Sequence, residues 1–176
     1  MDNKQNFLEE LKNQYGREFE IKNSLETKAN YNLAASGIIV GLLFTFGATL
    51  LEPSKTMPDI QWFVVLLLLS IGVFVISIFC SVLALRIKDY YFAFLPKYFY
   101  VDKDTFNEDK KNEYKNMDHN LYLTKMIDIY LRANMYNYTE NEHKAKRIEI
   151  AHWLFVGGIG LILITILFYS LNTILK

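Results

Sequence analysis

The side chains best equipped for chemistry in this 176-residue chain are few and scattered. Its three histidines, His119, His143 and His152, share no metal-ligand spacing, and His143 beside Glu140 and Glu142 is their nearest approach to a cluster. A zinc site needs three or four His, Cys or carboxylate ligands converging on one point, so no metal is expected. The sequence holds no GxSxG, HExxH or P-loop, and no GxGxxG following a strand. The commonest hydrolase, metalloprotease and nucleotide-binding motifs are therefore missing. Cys80, the single cysteine, lies in an apolar run where burial disfavours the reactive thiolate, and it has no partner for an intrachain disulfide. We expect no catalytic residue and no cofactor.

Among charged positions, Asp128 is the most unusual, because it falls on an apolar stripe and needs a partner there. Lys125, Arg132 or a lysine of the N-terminal helix could supply one. Lys125, Arg132 and Arg147 are the candidate contacts for an anionic ligand. Nucleic acid is not an expected partner: 19 Lys and Arg balance 19 Asp and Glu, and neither polar segment carries a basic excess that would attract phosphate. The triplet Asn137-Tyr138-Thr139 matches a glycosylation acceptor but falls on the side of the membrane that the charge pattern makes cytosolic, so it is read as accidental.

The elements that must carry these residues are set by three uncharged apolar stretches, 33–51, 60–85 and 151–174. At ~1.5 Å of rise per residue, even the shortest covers roughly the ~30 Å hydrocarbon thickness as a helix. The composition, 52% hydrophobic yet 22% charged, combines these spans with polar segments. A cleavable signal peptide is not expected, since 32 polar residues precede the first span. Lys and Arg cluster in residues 1–32 and 86–149, whereas the 52–59 link and the tail carry one lysine each. The positive-inside rule therefore puts the N-terminus and the long insert in the cytosol and the C-terminus outside. The fold expected is an all-α membrane protein of three transmembrane helices in one unit, with a cytosolic bundle formed by helix 1–32 and insert 86–149. Its expected location is the cell inner membrane.

In the N-terminal segment Phe7, Leu11, Tyr15, Ile21 or Lys22, Leu25 and Ala29 recur at three- and four-residue steps, predicting an amphipathic helix that runs into the first span, with Gly16 as its weakest point. Pro53 and Pro58 mark a tight outer turn between the first two spans. The aromatic segment 86–100 either settles at the headgroup level or packs into the cytosolic helices. Residues 101–112 read as an irregular loop. From Glu113, Tyr114, Met117, Leu121, Thr124, Asp128, Leu131, Met135 and Tyr138 repeat with coiled-coil-like spacing. Met126, Ile127 and Tyr130 broaden that stripe. Met117, Leu121, Leu131 and Met135 are the expected contact positions.

The spans themselves carry small residues in rows. Gly37 and Gly41 form a GxxxG pair extended by Thr45 and Ala48, a ridge that another helix backbone can approach closely, in this chain or a second copy. Ser70, Ser77, Ser81 and Ala84 line one face of the second span, as pore or packing surface, while Leu66 to Leu69 and Phe74 are expected to face lipid. Gly157, Gly158 and Gly160 cluster in the third. No Asp, Glu, Lys or Arg lies inside any span, which argues against proton relays, ion-coupled transport and voltage sensing.

This layout, in which Leu25-Glu26-Thr27-Lys28-Ala29 leads into a glycine-bearing span and Lys144-Ala145 precedes the last one, resembles the small transmembrane effectors of bacterial cyclic-nucleotide antiphage defence. These are the Pycsar transmembrane effectors and the related SLATT-type domains. The resemblance implies oligomerisation on a signal, with a cyclic nucleotide or a protein as trigger, and then membrane permeabilisation that stops growth of the infected cell. It carries over no nucleotide-contacting residue. The function expected is a non-enzymatic, homo-oligomeric membrane effector assembled through Gly37, Gly41, Ser70, Ser77, Ser81, Gly157 and Gly160, with the lipid bilayer as its partner. The alternative is a scaffold subunit that docks a larger protein through its cytosolic stripe.

Overall fold

A computed structural model of the chain describes residues 3–50, 60–86, 100–102, 105–106, 112–113 and 115–174. Three helices dominate: α1 (Asn3–Leu50), α2 (Ile60–Leu85) and α3 (His119–Ile174). Each contains a stretch long and apolar enough to cross a membrane. The outer turn at Pro53 and Pro58, Tyr114, and all of the aromatic segment except Arg86 and Tyr100 lie outside the described residues. Gly16 does not interrupt α1. Part of the expected loop is ordered as an antiparallel pair, β1 (Tyr100–Asp102) and β2 (Thr105–Phe106), with Tyr100 opposite Phe106. Aromatic and β-branched residues flanking a polar Asp-Lys-Asp stretch favour that pairing over irregular chain.

The chain divides into two compact units, 1–24 with 87–142, and 25–86 with 143–176. In the first, α1 and α3 pack side by side. Asn134 Nδ2 donates to the Leu11 carbonyl at 3.0 Å and Asn141 Nδ2 to the Glu18 carbonyl at 2.9 Å, both pairs 123 residues apart, so the helices run parallel. Their inward positions step by three and four: Leu8, Leu11, the half-buried Tyr15 and Glu18 on α1, and Leu123, Met126, Tyr130, Ala133 and Asn137 on α3. That period of 3.5 is the coiled-coil seam.

α3 begins later than the periodicity from Glu113 predicts. Asp118 Oδ2 accepts from the backbone N–H of Asn120 at 3.0 Å and of Leu121 at 3.4 Å, capping the first turn in place of the missing intrahelical acceptors. Met117 therefore precedes the helix. The expected stripe is also on the wrong face for packing within the chain, since Leu121, Leu131 and Met135 are exposed and Met126 and Tyr130 face the core. In α1 the seam takes Leu8 and Lys22, with Phe7 and Ile21 exposed instead. Asp128 stands on the exposed face too and pairs with Arg132 at 3.0 Å.

The seam position chosen by the fold can be tested by truncation. Met126 is 1% exposed and Met135 72% exposed. Met126→Ala should lower stability in mild detergent by about 2–4 kcal/mol, and Met135→Ala by less than about 0.5 kcal/mol. Equal losses on thermal or denaturant unfolding would refute the assigned register. Burial pushes the Tyr130 phenol above its ordinary value, and the neighbouring Tyr15 and Tyr122 add to the shift. Because the unfolded chain then ionises first, stability should be intact below the normal tyrosine pKa, ~10, and decline as pH rises past it, a decline that Tyr130→Phe should reduce.

Candidate functional site

In the second unit the three helices alternate in direction. Along α2 and α3 the contacts run in opposite senses, from Leu83 with Arg147, through Ser77 with Ala151, to Phe74 with Gly158. α2 shows the cause of this packing most plainly. Its buried face runs through Phe63, Leu67, Ser70, Phe74, Ser77, Ser81 and Ala84 in steps of four and three, with Ile71 buried beside that row. Phe74 is thus fully buried and does not face lipid as expected, and Leu67 is buried too. Extending the noted serine row back by the same steps through Phe74 and Leu67 would have found both.

Polar atoms in this unit are tied together across helices. Asn32 Nδ2 on α1 donates to Ser77 Oγ at 3.1 Å and Ser81 Oγ at 2.9 Å, and Ser77 Oγ donates in turn to the Ala151 carbonyl on α3 at 2.8 Å. Arg147 Nη1 donates to the Leu83 carbonyl at 2.9 Å, satisfying one of the orphan acceptors at the C-terminal, negative end of α2. Lys144, with 4% of its side chain exposed, bonds Glu26 Oε1 at 2.6 Å. These two residues, both in the short segments on which the family resemblance rests, form an ion pair between α1 and α3. Ser70 and Thr165 hydroxyls bond back to the carbonyls of Leu66 and Leu161. Ser36 Oγ is fully buried and has no hydrogen-bond partner.

The glycines divide between two roles. A Cβ on Gly47 would stand 2.8 Å from Leu67 Cδ2, and one on Gly158 2.7 Å from Phe74 Cε2 and Cζ, so these are the close-packed glycines. Gly37, Gly41, Gly157 and Gly160 have open space where a side chain would go. The Gly37–Gly41 ridge therefore lies outside the three-helix packing. Of the anion-contact candidates, Lys125 pairs with Glu113 at 3.2 Å, Arg132 with Asp128, and Arg147 with the Leu83 carbonyl.

Toward the far ends of the spans, Leu43, Phe63, Leu67, Ile162 and Tyr169 line an apolar groove of about 390 Å³. Phe63 meets Phe46 and Tyr169 with ring centroids 6.2 and 5.8 Å apart. Among the described residues no group of three or more His, Cys, Asp or Glu could hold a metal ion.

Three apolar helices that turn their polar groups toward one another define an integral membrane protein. A family model described as the Pycsar effector protein domain, PycTM, matches residues 17–171. The chain belongs to this family of membrane effectors of cyclic-nucleotide antiphage defence. No curated protein and no solved structure matches it.

The weight of the Glu26 and Lys144 pair is measurable against an exposed one. Lys144→Met leaves a partly desolvated carboxylate and should cost about 2–3 kcal/mol, below the ~3–5 kcal/mol of a fully buried pair because Glu26 keeps some solvent. Breaking the exposed Asp128 and Arg132 pair by Asp128→Ala should cost less than about 0.5 kcal/mol. Comparable losses on detergent-phase unfolding would show that the buried pair is not a structural tie.

Proposed function

We propose that this chain is a non-enzymatic effector that assembles with further copies of itself in the inner membrane and permeabilises it on a signal, a cyclic nucleotide or a partner protein. The observation that carries this reading is the Gly37–Gly41 ridge. Within the chain, α1 contacts its neighbours through Asn32, Ser36, Leu43 and Gly47, so the glycine ridge is left for a helix from elsewhere. Lipid tails are as apolar as leucine, and helices associate in a bilayer through close backbone approach at such small residues. The charge distribution supports an orientation with the N-terminus and the 86–149 insert in the cytosol. There the first unit would meet a cytosolic trigger. Gly157 and Gly160 offer further open positions on α3.

A second reading is favoured by the exposed row Leu121, Leu131 and Met135 on α3, which Tyr138 extends. Apolar side chains with this spacing suit the docking of a larger protein, with this chain as its membrane scaffold.

Gly41→Leu separates the two. Nothing lies within 4 Å of the added Cβ, so the fold of one chain should be unaffected. Induced expression followed by dye uptake and membrane potential should show depolarisation with the natural sequence and none with Gly41→Leu. Absence of depolarisation in both, with a large protein co-purifying in mild detergent until Leu131→Glu releases it, would favour the scaffold.

A further inference from the structure

We propose that the aqueous path opened by this effector is lined by residues now shut inside the three-helix seam, Asn32, Ser36, Ser77 and Ser81, and that Phe74 seated on Gly158 holds the seam closed. The inference rests on the permeabilising reading above and adds to it the identity of the path's wall and of its latch.

Consider first what the outside of the spans could offer to water. Over residues 34–48, 62–85 and 153–169, the exposed positions are aliphatic, aromatic or glycine with one exception, Thr45. Its hydroxyl already donates to the Gly41 carbonyl at 3.0 Å. Copies assembled through these faces as they stand would enclose a wall of hydrocarbon. Such a wall excludes hydrated ions, because a narrow apolar passage dewets. Within those residues the remaining Ser and Thr side chains, Ser36, Ser70, Ser77, Ser81 and Thr165, are buried on the inward faces, and the exposed His152 and Ser170 lie just beyond them, toward the two ends of the third span.

The inward groups form two tiers on α2. Ser77 and Ser81, bonded to Asn32, make the first, and Ser36 follows Asn32 by one turn of α1 on the same inward side. Ser70 stands in the second, level with Thr165 in the groove. Phe74 separates the tiers. Its ring is fully buried, rests edge-on against Phe155 with centroids 5.7 Å apart, and occupies the space that any side chain at Gly158 would need.

Ser36 is the observation that distinguishes this seam from ordinary packing. Its hydroxyl is fully buried and has no partner, so its desolvation is not offset by any hydrogen bond. Packing alone would be served by alanine at that position. A hydroxyl that is unsatisfied in the closed chain and hydrated once the seam parts favours the parted state. Asn32 loses little on parting, since water can replace the two serine oxygens it now bonds. Because water can replace the bonds of Asn32, the closed seam is favoured by the apolar contact of Phe74, together with the Glu26 and Lys144 pair and the Arg147 bond to the Leu83 carbonyl.

The full chain carrying Cys80→Ala supplies the test. Ser36→Cys and Ser77→Cys are compared with the outward position Val75→Cys in spheroplasts treated with a membrane-impermeant cationic methanethiosulfonate before and after depolarisation. The thiols introduced at positions 36 and 77 should be unreactive before depolarisation and labelled after it, with a loss of flux on labelling. Position 75 should not change. In addition, Phe74→Ala should depolarise at lower expression than the natural sequence, whereas the exposed Phe79→Ala should not. Depolarisation with positions 36 and 77 unlabelled, or with position 75 labelled instead, overturns the seam as lining and leaves permeabilisation standing. A chain that never depolarises overturns permeabilisation and this inference together.

Discussion

Inside a bilayer a polar group can bond only to protein, and that constraint organises everything in the second unit. Asn32, at the edge of the first span, reaches two serines on α2, and one of these passes the bond on to a carbonyl of α3. One side chain thereby fixes the level of all three helices. Arg147 acts similarly at the end of α2, where the unpaired carbonyls of the last turn meet a cation with several donors to offer. Each tie would be weak in water, where solvent competes for the same atoms. Here the alternative is an unsatisfied group, so the difference is larger.

The same constraint explains why the three spans have two unlike sides. Most polar residues of the spans are drawn inward, and the outward positions are mainly apolar or glycine, with Thr45 and the terminal His152 and Ser170 as exceptions. A membrane protein gains nothing from hiding leucine from lipid, so the inside need not be the greasier side. Shape decides instead: Gly47 admits Leu67 and Gly158 admits Phe74, and the helices close on those points. Gly37 and Gly41 have the same capacity for close approach without an occupant in the chain. In the assembly proposed above, the packed glycines and the open ones would serve separate surfaces.

In the cytosolic placement proposed above for the first unit, water is the competing solvent and the logic changes. The parallel seam of α1 and α3 buries Leu8, Leu11, Leu123 and Met126, and the hydrophobic effect sets the pairing. Polar groups also enter this seam. Glu18 Oε2 accepts from Asn141 at 2.7 Å, and Asn134 bonds the Leu11 carbonyl while its own Oδ1 finds no partner. Such contacts add little net energy but allow few registers, because a slip would strand them. The family to which the chain belongs is matched from residue 17 onward, so it takes in Glu18 and Asn141 of this seam.

The amino-acid sequence by itself determined the number and extent of the apolar helices, their freedom from charge, the helical repeat of the polar segments and the family. Each of these depends on composition and period along one chain, which no neighbour can alter. Only the tertiary structure decided which face of α1 and of α3 turns inward. Phe7 and Leu8 are equally apolar, as are the rows through Leu121 and Leu123, so hydropathy cannot choose between them; on α2 the serine row marks the inward face, and the structure adds Leu67 and Phe74 to it. The choice falls to pairings between distant residues: Glu26 with Lys144, Asn32 with Ser77 and Ser81, Phe74 with Gly158. None of these is a local pattern, and each exists because hydrocarbon or a close-packed seam allows a polar atom or a ring one place to go.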